Sequence, residues 1–500
     1  KKQLSKKFKR IKLVVVGLFA LVVVKNIVIE PAKIVSAADT YIDKKIGHSE
    51  KDNATLFSSE LDSNEKSIES KARTVSSENN RVVVDVILNE GYTVEQFEEI
   101  INEYYPEIAM SSTPEIQLIH LMLPTDMDVD SFLGDEKVQP YIYIKGELPD
   151  ISVPQNPLGS VELSKTNFSD YNQARMRMTE EELFDTMAWH VDEVTNDRIS
   201  LDISTGEGAK VGIIDSGVDA EHPILSGKIN TSISRSYVEG ESCLQDNNGH
   251  GTGVAGIVAQ IAPEAEMIVY KVIGANTGDS AWTIEAIIQA AKDQCNVVNM
   301  SLGTYKCEDV ESELLTIEAF ERAIEYAETQ ECVVVASAGN KALDLDQYYQ
   351  TEHIIHLPGG IESAVTVSSK HKTSLASYSN FGSDIDLCAS GGDLTYTEEG
   401  MLDLSQWIYC LYPTNMDNGL EALGVPQGYS FNCGTSLAAP IVSASYADVW
   451  SYYLKNEREV SMEYVLKDTI NGVDDLGLAG EDTYFGVGAV NLYKSLSNLD

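Results

Sequence analysis

Three short segments of the sequence place an aspartate, a histidine and a serine where their side chains could react. Asp215 ends a short apolar run in Val211-Gly-Ile-Ile-Asp-Ser-Gly-Val, which predicts a buried strand. His250, in Asn248-Gly-His-Gly-Thr-Gly-Val-Ala-Gly, and Ser436, in Gly434-Thr-Ser-Leu-Ala-Ala-Pro, each begin an apolar helix. Taken singly, each residue has an ordinary explanation as a helix cap, a turn residue or a loop residue.

Together, the three side chains have the chemistry of nucleophilic acyl transfer. A serine hydroxyl is a weak nucleophile at neutral pH and needs an adjacent base. A histidine can take its proton, and a carboxylate can hold the histidine in the right tautomer and stabilise the imidazolium. Asn340, which ends Ser337-Ala-Gly-Asn after another apolar run, could donate to the developing oxyanion. One such donor is worth about 3–4 kcal/mol of transition-state stabilisation.

These residues lie in a long alternation of predicted strands and helices that begins near residue 189. Apolar strands are predicted at Val211–Ile214, Ile268–Val272, Val297–Met300 and Val333–Ala336, and helices at Thr283–Asp293 and Ser312–Glu328. Wholly apolar strands alternating with amphipathic helices favour a parallel sheet that is covered on both faces. Asp215 would then lie at the carboxyl end of a strand, where open α/β sheets form their sites.

Residues 189–495 resemble the subtilisin-like serine proteases. The chain order Asp, His, Ser is the order of that family. Further matching segments are Ser301–Gly303, Ala338–Asn340, Ser374–Asp386 and Gly486–Asn491. Two positions depart from the family pattern: Leu437 stands where Met is usual, and Ala389-Ser-Gly replaces Ala-Pro-Gly. The resemblance implies a doubly wound parallel sheet over 189–500, a triad of Asp215, His250 and Ser436, and Asn340 as oxyanion donor.

A smaller α+β domain is predicted before the protease domain, over residues 81–146. Strands are expected at Val82–Leu88, Glu107–Ser112, Ile116–Leu123 and Val138–Ile144, and helices at Val94–Tyr105 and Asp126–Leu133. Their β-α-β-β-α-β order is that of a split βαβ sandwich. It resembles the family's propeptide, which is an intramolecular inhibitor and folding chaperone, so we expect a zymogen. An unrelated small binding domain is the alternative.

The rest of the chain suggests export. Residues 1–38 combine a basic start, the apolar run Leu13–Val24 and small residues near Ala37, which is the pattern of a secretory signal peptide. The alternative is an uncleaved anchor; after cleavage we expect a secreted protein with no stable membrane span. Residues 39–80 are polar and predict a flexible segment. The polar, turn-rich residues 147–188 predict a linker that holds an autoprocessing site.

Composition excludes some functions and leaves others open. Asp and Glu number 78 against 36 Lys and Arg, a net charge of −42. A protein that neutralises phosphates should be basic, so nucleic acid is not an expected partner.

The seven cysteines form no C-x-x-C pair, and no catalytic cofactor or metal site is predicted. Cys295 and Cys332 precede apolar strands and could form a disulfide or remain free thiols. Many subtilases bind a structural Ca²⁺, and the carboxylates here could do so, although no compact Asp/Asn loop requires it.

The resemblance also implies a pocket for P1, the residue before the scissile bond. Its walls would be Ser301, Leu302 and Gly303 on one side and Ser337, Ala338, Gly339 and Asn340 on the other. His356, in His356-Leu-Pro-Gly, would replace the usual small residue at the floor. An imidazole there shortens the pocket and offers a hydrogen-bond donor to a carboxylate or carboxamide. We therefore expect autoprocessing after an acidic residue in 145–182, with Glu147 the first candidate and Glu162 the second.

The overall architecture is most like that of the lantibiotic leader peptidases, which cut the leader from a modified antimicrobial precursor. We therefore expect a secreted serine endopeptidase with a peptide substrate. A broad-specificity extracellular subtilase is the main alternative. A non-catalytic subtilase-like binding protein is a third, but the complete triad argues against it.

Overall fold

The computed structural model describes residues 81–157 and 166–499. The predicted signal peptide at 1–38 and the predicted flexible segment at 39–80 lie outside the described residues. Across the two described ranges, no helix is both long and apolar enough to cross a bilayer.

Residues 81–146 contain a four-stranded antiparallel sheet with two helices. The elements are β1 (Arg81–Leu88), α1 (Val94–Tyr104), β2 (Ala109–Thr113), β3 (Leu118–Pro124), α2 (Val129–Leu133) and β4 (Ile142–Gly146). The strand order is β2-β3-β1-β4. Because strand side chains alternate between faces, Val86 packs with Phe97 of α1 in the core of this domain. Its neighbour Ile87 points the other way and packs with the helices of the larger domain.

The larger domain is built on an eight-stranded, mostly parallel sheet of order β14-β13-β11-β9-β6-β8-β7, with β15 also paired to β13. These strands are β6 (Lys210–Asp215), β7 (Arg235–Ser236), β8 (Glu266–Lys271), β9 (Val297–Met300), β11 (Val333–Ser337), β13 (Ala364–His371), β14 (Ser374–Leu375) and β15 (Leu387–Ser390). Only the β13–β14 pair among them is antiparallel. The predicted subtilisin-like sheet is therefore confirmed.

Smaller strand pairs flank this sheet. They comprise β5 (Thr166–Asn167) with β16 (Leu402–Asp403), β10 (Thr304–Cys307) with β12 (Ile354–Leu357), and β17 (Ile408–Leu411) with β18 (Tyr429–Asn432). The helices of the domain are α3 (Ser169–Arg175), α4 (Glu180–Thr186), α5 (Trp189–Thr195), α6 (His250–Ile261), α7 (Ser280–Lys292), α8 (Glu311–Thr329), α9 (Leu345–Glu352), α10 (Thr435–Lys455), α11 (Met462–Asn471) and α12 (Leu492–Ser497).

Helices cover both faces of the large sheet. Ile213 of β6 packs with α6 and α10 in one hydrophobic cluster. The next residue, Ile214, packs with α7 and α8 in a second cluster on the opposite face. The chain leaves β6 to form β8 on one side and then returns to form β9 on the other. This is a topological switch point, and Asp215 lies at the carboxyl end of the strand where it occurs.

The structure differs from the sequence-based interpretation in residues 166–188, which the polar composition placed in a linker. This stretch contains β5, α3 and α4, and it buries Phe168, Tyr171 and Phe184. The ring of Tyr171 lies 5.5 Å from that of Phe431 and 5.6 Å from that of Tyr409, centroid to centroid. The partners lie more than 200 residues away in sequence, so no local pattern could reveal this packing.

The cysteines are all free thiols. Burial raises the pKa of Cys332 well above its ordinary value, and the nearby Cys295 raises it further. Cys295 and Cys332 lie just before β9 and β11, which pair in the sheet, and both are free thiols.

Candidate active site

Asp215 and His250 are brought together by the end of β6 and the start of α6. His250 Nδ1 lies 2.8 Å from Asp215 Oδ1 and 2.9 Å from Oδ2. Both side chains are buried. Burial opposes a charge on His250, but the Asp215 carboxylate outweighs it and raises the histidine pKa above its ordinary value. This arrangement fixes the proton on Nδ1 and leaves Nε2 as the basic nitrogen.

Gly251 allows the close approach of these two elements. A Cβ at Gly251 would lie 2.1 Å from the carbonyl oxygen of Gly217 and 3.2 Å from Asp215 Oδ1. No side chain fits there, so the glycine that follows His250 is required for the histidine turn to pack against the end of β6.

A second buried carboxylate, Asp246, supports the turn that carries His250. It accepts hydrogen bonds from the amides of Asn248, Gly249 and Thr252 and from the hydroxyls of Ser216 and Thr252, at 2.7–3.0 Å. Ser216 Oγ in turn accepts from the amide of Gly251 at 2.9 Å. Asp246 was not singled out from the sequence, although it lies four residues before His250. We assign it a positioning role, because it holds the backbone on both sides of His250.

Removing this carboxylate should destabilise the fold. In Asp246→Ala, several donors would be buried without partners, each at a cost of about 1–3 kcal/mol. We expect a loss of about 3–5 kcal/mol in unfolding free energy, the range for breaking a buried charged network. Urea unfolding in a Ser436→Ala background, which avoids self-digestion, measures it. Exposed Asp417, whose carboxylate accepts from the amide of Gly419, provides the control: an Asp246→Ala protein as stable as Asp417→Ala would contradict this role.

Ser436 lies in the first turn of α10, and two contacts fix that turn. Ser301 Oγ donates to the Ser436 carbonyl at 2.6 Å, and Asn299 Nδ2 donates to Ser301 Oγ at 2.9 Å. Within the described part of the chain, His250 Nε2 has no hydrogen-bond partner, so the serine–histidine bond is not formed. Catalytic hydrogen bonds are often long in unliganded enzymes and tighten only when substrate binds.

Ser436 and Asn340 converge on one point in front of Gly434. A Cβ built on Gly434 would lie 3.1 Å from Ser436 Oγ and 3.2 Å from Asn340 Nδ2. Asn340 Oδ1 accepts from the amide of Thr435 at 2.8 Å and from its hydroxyl at 2.7 Å. With its oxygen so engaged, the Asn340 amide directs its NH₂ group toward the nucleophile. Ser436 Oγ and Asn340 Nδ2 therefore lie on the same side of Gly434, as a nucleophile and an oxyanion donor for one carbonyl group must.

His356 lies against Gly303, which belongs to the first predicted wall of the P1 pocket. His356 pairs with Tyr305 across β10 and β12, and a Cβ at Gly303 would lie 2.6 Å from His356 Nε2. Burial, together with the charge of Lys341, lowers the pKa of His356 to about 4. His356 is therefore neutral at pH 7 and can act as a hydrogen-bond donor but not as a cation.

Three residues near this pocket were not singled out from sequence: Tyr305, Lys341 and Asn380. Asn380 Nδ2 donates to the Tyr305 hydroxyl and to the carbonyl of Ala338, both at 2.8 Å. Tyr305 and Lys341 directly follow the two predicted wall segments by one or two residues. For Tyr305 and Lys341, this short distance in sequence from the predicted walls is the signal that could have found them.

No metal site accompanies these residues. In the part of the chain that the structure describes, no group of three or more His, Cys, Asp or Glu side chains is placed to hold a metal ion. The structural Ca²⁺ stays an expectation, and no step of peptide-bond hydrolysis at this site depends on it.

Comparison with known proteins agrees with the geometry. Residues 206–488 match the subtilase family. The epidermin leader peptide-processing serine protease EpiP of Staphylococcus epidermidis is 27% identical over 357 residues, covering 63% of this chain and 75% of that protein. Thermitase of Thermoactinomyces vulgaris is 30% identical over 308 residues, covering 59% of this chain and 91% of that protein.

Solved structures give the same result. A crystal structure of a lanthipeptide protease is 33% identical, with a TM-score of 0.60, and covers 63% of this chain and 96% of that one. EpiP from Staphylococcus aureus, at 22% identity and a TM-score of 0.67, shares the fold over 84% of this chain and 99% of its own. The family match spans more than half of the sequence and includes Asp215, His250 and Ser436. The chain therefore belongs to the subtilase family and is a serine endopeptidase of that family.

Proposed function

We propose that the protein is a secreted leader peptidase, made as a zymogen, that removes the leader from a lantibiotic-type precursor peptide. The names of two relatives, one an epidermin leader protease and one a lanthipeptide protease, support the substrate class. The single observation that favours this over broad digestion is His356, which is buried in the predicted P1 pocket. A pocket shortened by an imidazole disfavours the large apolar residues that a general protease accepts.

Ser436, His250 and Asp215 carry the reaction in this proposal. His250 Nε2 takes the proton of Ser436 Oγ as the oxygen attacks the carbonyl carbon before the scissile bond. Asp215 stabilises the imidazolium through Nδ1, and Asn340 Nδ2 donates to the oxyanion. The imidazolium then protonates the leaving amine, and an acyl-enzyme remains. Water, deprotonated by the same histidine, hydrolyses this ester and regenerates the serine.

The contacts of residues 81–157 support an inhibitory propeptide. Ile87, Leu118 and Leu148 pack in one cluster with α7 and α8 of the protease domain. The ammonium of Lys292 pairs with Glu115, and Arg322 Nη1 donates to Gln117 Oε1 at 3.0 Å; the two cations lie on α7 and α8, respectively. Burial of apolar surface with an ion pair and a hydrogen bond at its edge is the arrangement expected of a stable internal interface.

After the small domain, the chain runs toward the active site. The amide of Ile151 donates to the carbonyl of Gly278 at 2.9 Å, and the amide of Ser280 donates to Pro149 at 3.1 Å, as in an antiparallel strand pair. Further on, Asn248 Nδ2 donates to the carbonyl of Pro154 at 3.0 Å. Asn248 lies two residues before His250, so the tail reaches the catalytic turn at Pro154. A peptide bound in this way would block the cleft.

These contacts favour Glu162 over Glu147 as the autoprocessing residue. The Glu147 carbonyl accepts from Thr316 Oγ1 at 3.1 Å, on α8, before the tail has reached the active site. From Thr166 onward the chain pairs with Leu402 and packs into the protease core. The bond to be cut should therefore lie between these two anchored stretches, and Glu162 is the acidic residue within 158–165.

We expect Glu162→Ala to block cleavage at the 162–163 bond, while the matched variant Glu147→Ala matures normally. Intact-mass spectrometry of the purified proteins reports the new amino terminus directly. A mature terminus created by cleavage after Leu, Phe or Arg would contradict the acidic preference. A terminus at residue 148 would contradict the choice of Glu162.

Cleavage of defined substrates tests the proposed function. A lantibiotic-type precursor with Glu as the last leader residue should be cut once, at the leader–core bond. Versions with Leu or Arg at that position should be cut more slowly, and unfolded β-casein should remain largely intact at the same enzyme concentration. Rapid cleavage of casein at many sites would instead favour the broad-specificity extracellular subtilase.

A further inference from the structure

The last strand of the small domain and the tail that follows it cross the protease domain along one continuous line of contacts. Tyr143 of β4 lies over Arg322 of α8, with 5.6 Å between the ring centroid and the guanidinium carbon. Four residues later, the Glu147 carbonyl accepts a hydrogen bond from Thr316 Oγ1 of α8 at 3.1 Å. The tail then pairs with the residues at the start of α7 and continues toward the catalytic turn. We call this line of contacts, from Arg322 through Thr316 to the start of α7, the tail track.

Two apolar side chains anchor the tail on this track. Leu148 and Ile151 are only 1% and 5% exposed, and they belong to a hydrophobic cluster with Ala281 of α7 and Leu315 of α8. The backbone approaches α8 closely as well, since a Cβ on Gly146 would lie only 2.8 Å from the Leu315 Cβ. The tail track can therefore hold an extended peptide through buried aliphatic side chains and main-chain hydrogen bonds together.

Arg322 gives the track a charge whose partners change when the small domain leaves. In the intact chain its Nη1 donates to the Ile116 carbonyl at 3.3 Å and to Gln117 Oε1 at 3.0 Å. Its Nε donates to Glu318 Oε1 at 2.7 Å, and this bond lies within α8. Both Nη1 acceptors belong to residues 81–157, so they leave with that domain while the bond to Glu318 remains. A carboxylate is the strongest replacement acceptor, because a hydrogen bond between charged groups is roughly twice as strong as a neutral one.

A substrate that is cut in the cleft approaches it with the polarity of the tail. The tail precedes the bond that we expect the enzyme to cut in its own chain, so it lies on the side of the cleft that holds residues before a scissile bond. Pro154, whose carbonyl accepts from Asn248 Nδ2 beside the catalytic turn, lies six residues after Leu148, which is about 20 Å of extended chain. A leader that extends further than this before the bond therefore reaches the tail track once residues 81–157 have left.

We propose that the tail track of the mature enzyme binds the leader segment of the precursor peptide, at a site separate from the cleft around the scissile bond. The leader lies extended, with an aliphatic side chain in the place of Leu148 and with a carboxylate, in the place of Tyr143, that pairs with Arg322. The proposal rests on the leader-peptidase function proposed above and adds how the leader is recognised at a distance from the cut bond. Because the small domain and the leader use the same surface, one must leave before the other binds.

Two peptides of different length test this site on the wild-type enzyme. The long peptide carries residues 143–154 of this chain with Tyr143→Asp and Glu147→Gln, followed by Glu and a fluorogenic amide; the short peptide begins at residue 151. The enzyme is the mature form, separated from residues 81–157 as intact mass verifies. We expect kcat/KM to be at least about tenfold higher for the long peptide, through a lower KM, because contacts far from the bond stabilise the ground state and the transition state alike. Leu148→Ala in the long peptide should remove most of this advantage.

Variants of the enzyme locate the site. Thr316→Val and Arg322→Gln should each lower the long/short ratio of kcat/KM several-fold and leave cleavage of the short peptide unchanged, so the short peptide reports the folding of each variant. Arg322→Glu should regain the advantage with a long peptide that carries Tyr143→Lys. Arg458→Gln is the matched control: Arg458 also lies over a tyrosine ring, at 5.3 Å, but it follows α10 and its Nη1 donates to the Leu499 carbonyl at 3.0 Å. It should leave the ratio unchanged.

Equal cleavage of the two peptides by the wild type would overturn the tail-track site and leave the peptidase function standing. A long-peptide advantage that survives both Thr316→Val and Arg322→Gln would overturn it too, because the leader would then bind elsewhere. A mature protein that sediments as a dimer and shows no advantage would mean that a second copy covers this face. Cleavage of casein at many sites by the same preparation would overturn the leader-peptidase function and, with it, the identity of the bound segment. A wild type that cleaves no peptide would overturn both.

Discussion

Replacing Ser436 with alanine is expected to abolish proteolysis and leave residues 81–162 attached to the protease domain. The nucleophile and its base act as one unit, so loss of either costs about 10⁶-fold in kcat in this type of site. His250→Ala should therefore behave like Ser436→Ala, and the double variant should be no worse than either. The measurement is the mass of the purified protein from a host lacking other proteases, with cleavage of a peptide substrate as the second readout.

The matched control for this variant is Ser374→Ala, at an exposed serine in β14. It should mature and cleave as wild type does. Normal maturation of Ser436→Ala in the same host would mean that another residue is the nucleophile. Loss of both activities in Ser374→Ala would mean that the assay reports folding and not catalysis.

Replacing Asn340 with alanine is expected to lower kcat by about 10²–10³-fold and to change KM little, because its bond to the oxyanion forms fully only in the transition state. The structure supports this role through the orientation of the amide. Thr435 engages the Asn340 oxygen from both its amide and its hydroxyl, which leaves Nδ2 on the side of Gly434 where Ser436 Oγ lies.

Thr435→Val separates orientation from donation. It removes the hydroxyl bond to Asn340 Oδ1 and the acceptor of the Gly339 amide, but it keeps the backbone bond to Asn340 and the Nδ2 donor, so we expect a loss much smaller than that of Asn340→Ala. If Asn340→Ala raised KM and left kcat unchanged, Asn340 would be a substrate-binding residue and not an oxyanion donor. Equal losses in both variants would mean that the amide acts only by holding Thr435.

Much of this site could be predicted because its chemistry depends on short segments of the chain. The reactive residues lie at the ends of strands or the starts of helices, and those elements have clear periodic patterns. Val297–Met300 was predicted with the bounds that the structure gives, and Val211–Ile214 was extended by only one residue at each end. Contact between Asp215 and His250 follows once both elements are in place.

What could not be predicted depends on contacts between distant parts of the chain. Residues 166–188 are polar on average, yet a few aromatic side chains are buried against β17 and β18. Composition averages over such residues and so predicts a linker. Likewise, nothing local to Asp246 distinguishes it from an exposed acid; only the fold shows that five donors converge on it.

The P1 pocket stays a prediction, but the position of His356 beside Gly303 could be anticipated. His356 was found because a short Pro-Gly segment could be matched to the family, and it does lie against Gly303. A histidine that titrates in the pocket would make the preference for Glu weaken at high pH. Burial, together with the charge of Lys341, lowers the pKa of His356 to about 4, so we expect no such weakening between neutral and alkaline pH.

Active-site labelling tests the central claim most directly. The mature wild-type protein is treated with a biotinylated fluorophosphonate, digested, and the labelled peptide is identified by mass spectrometry. The account predicts one adduct, on Ser436, which is absent from Ser436→Ala and strongly reduced in His250→Ala. An adduct on another residue, or no adduct on the mature wild-type chain, would contradict the assignment of Ser436, His250 and Asp215 as a working catalytic triad.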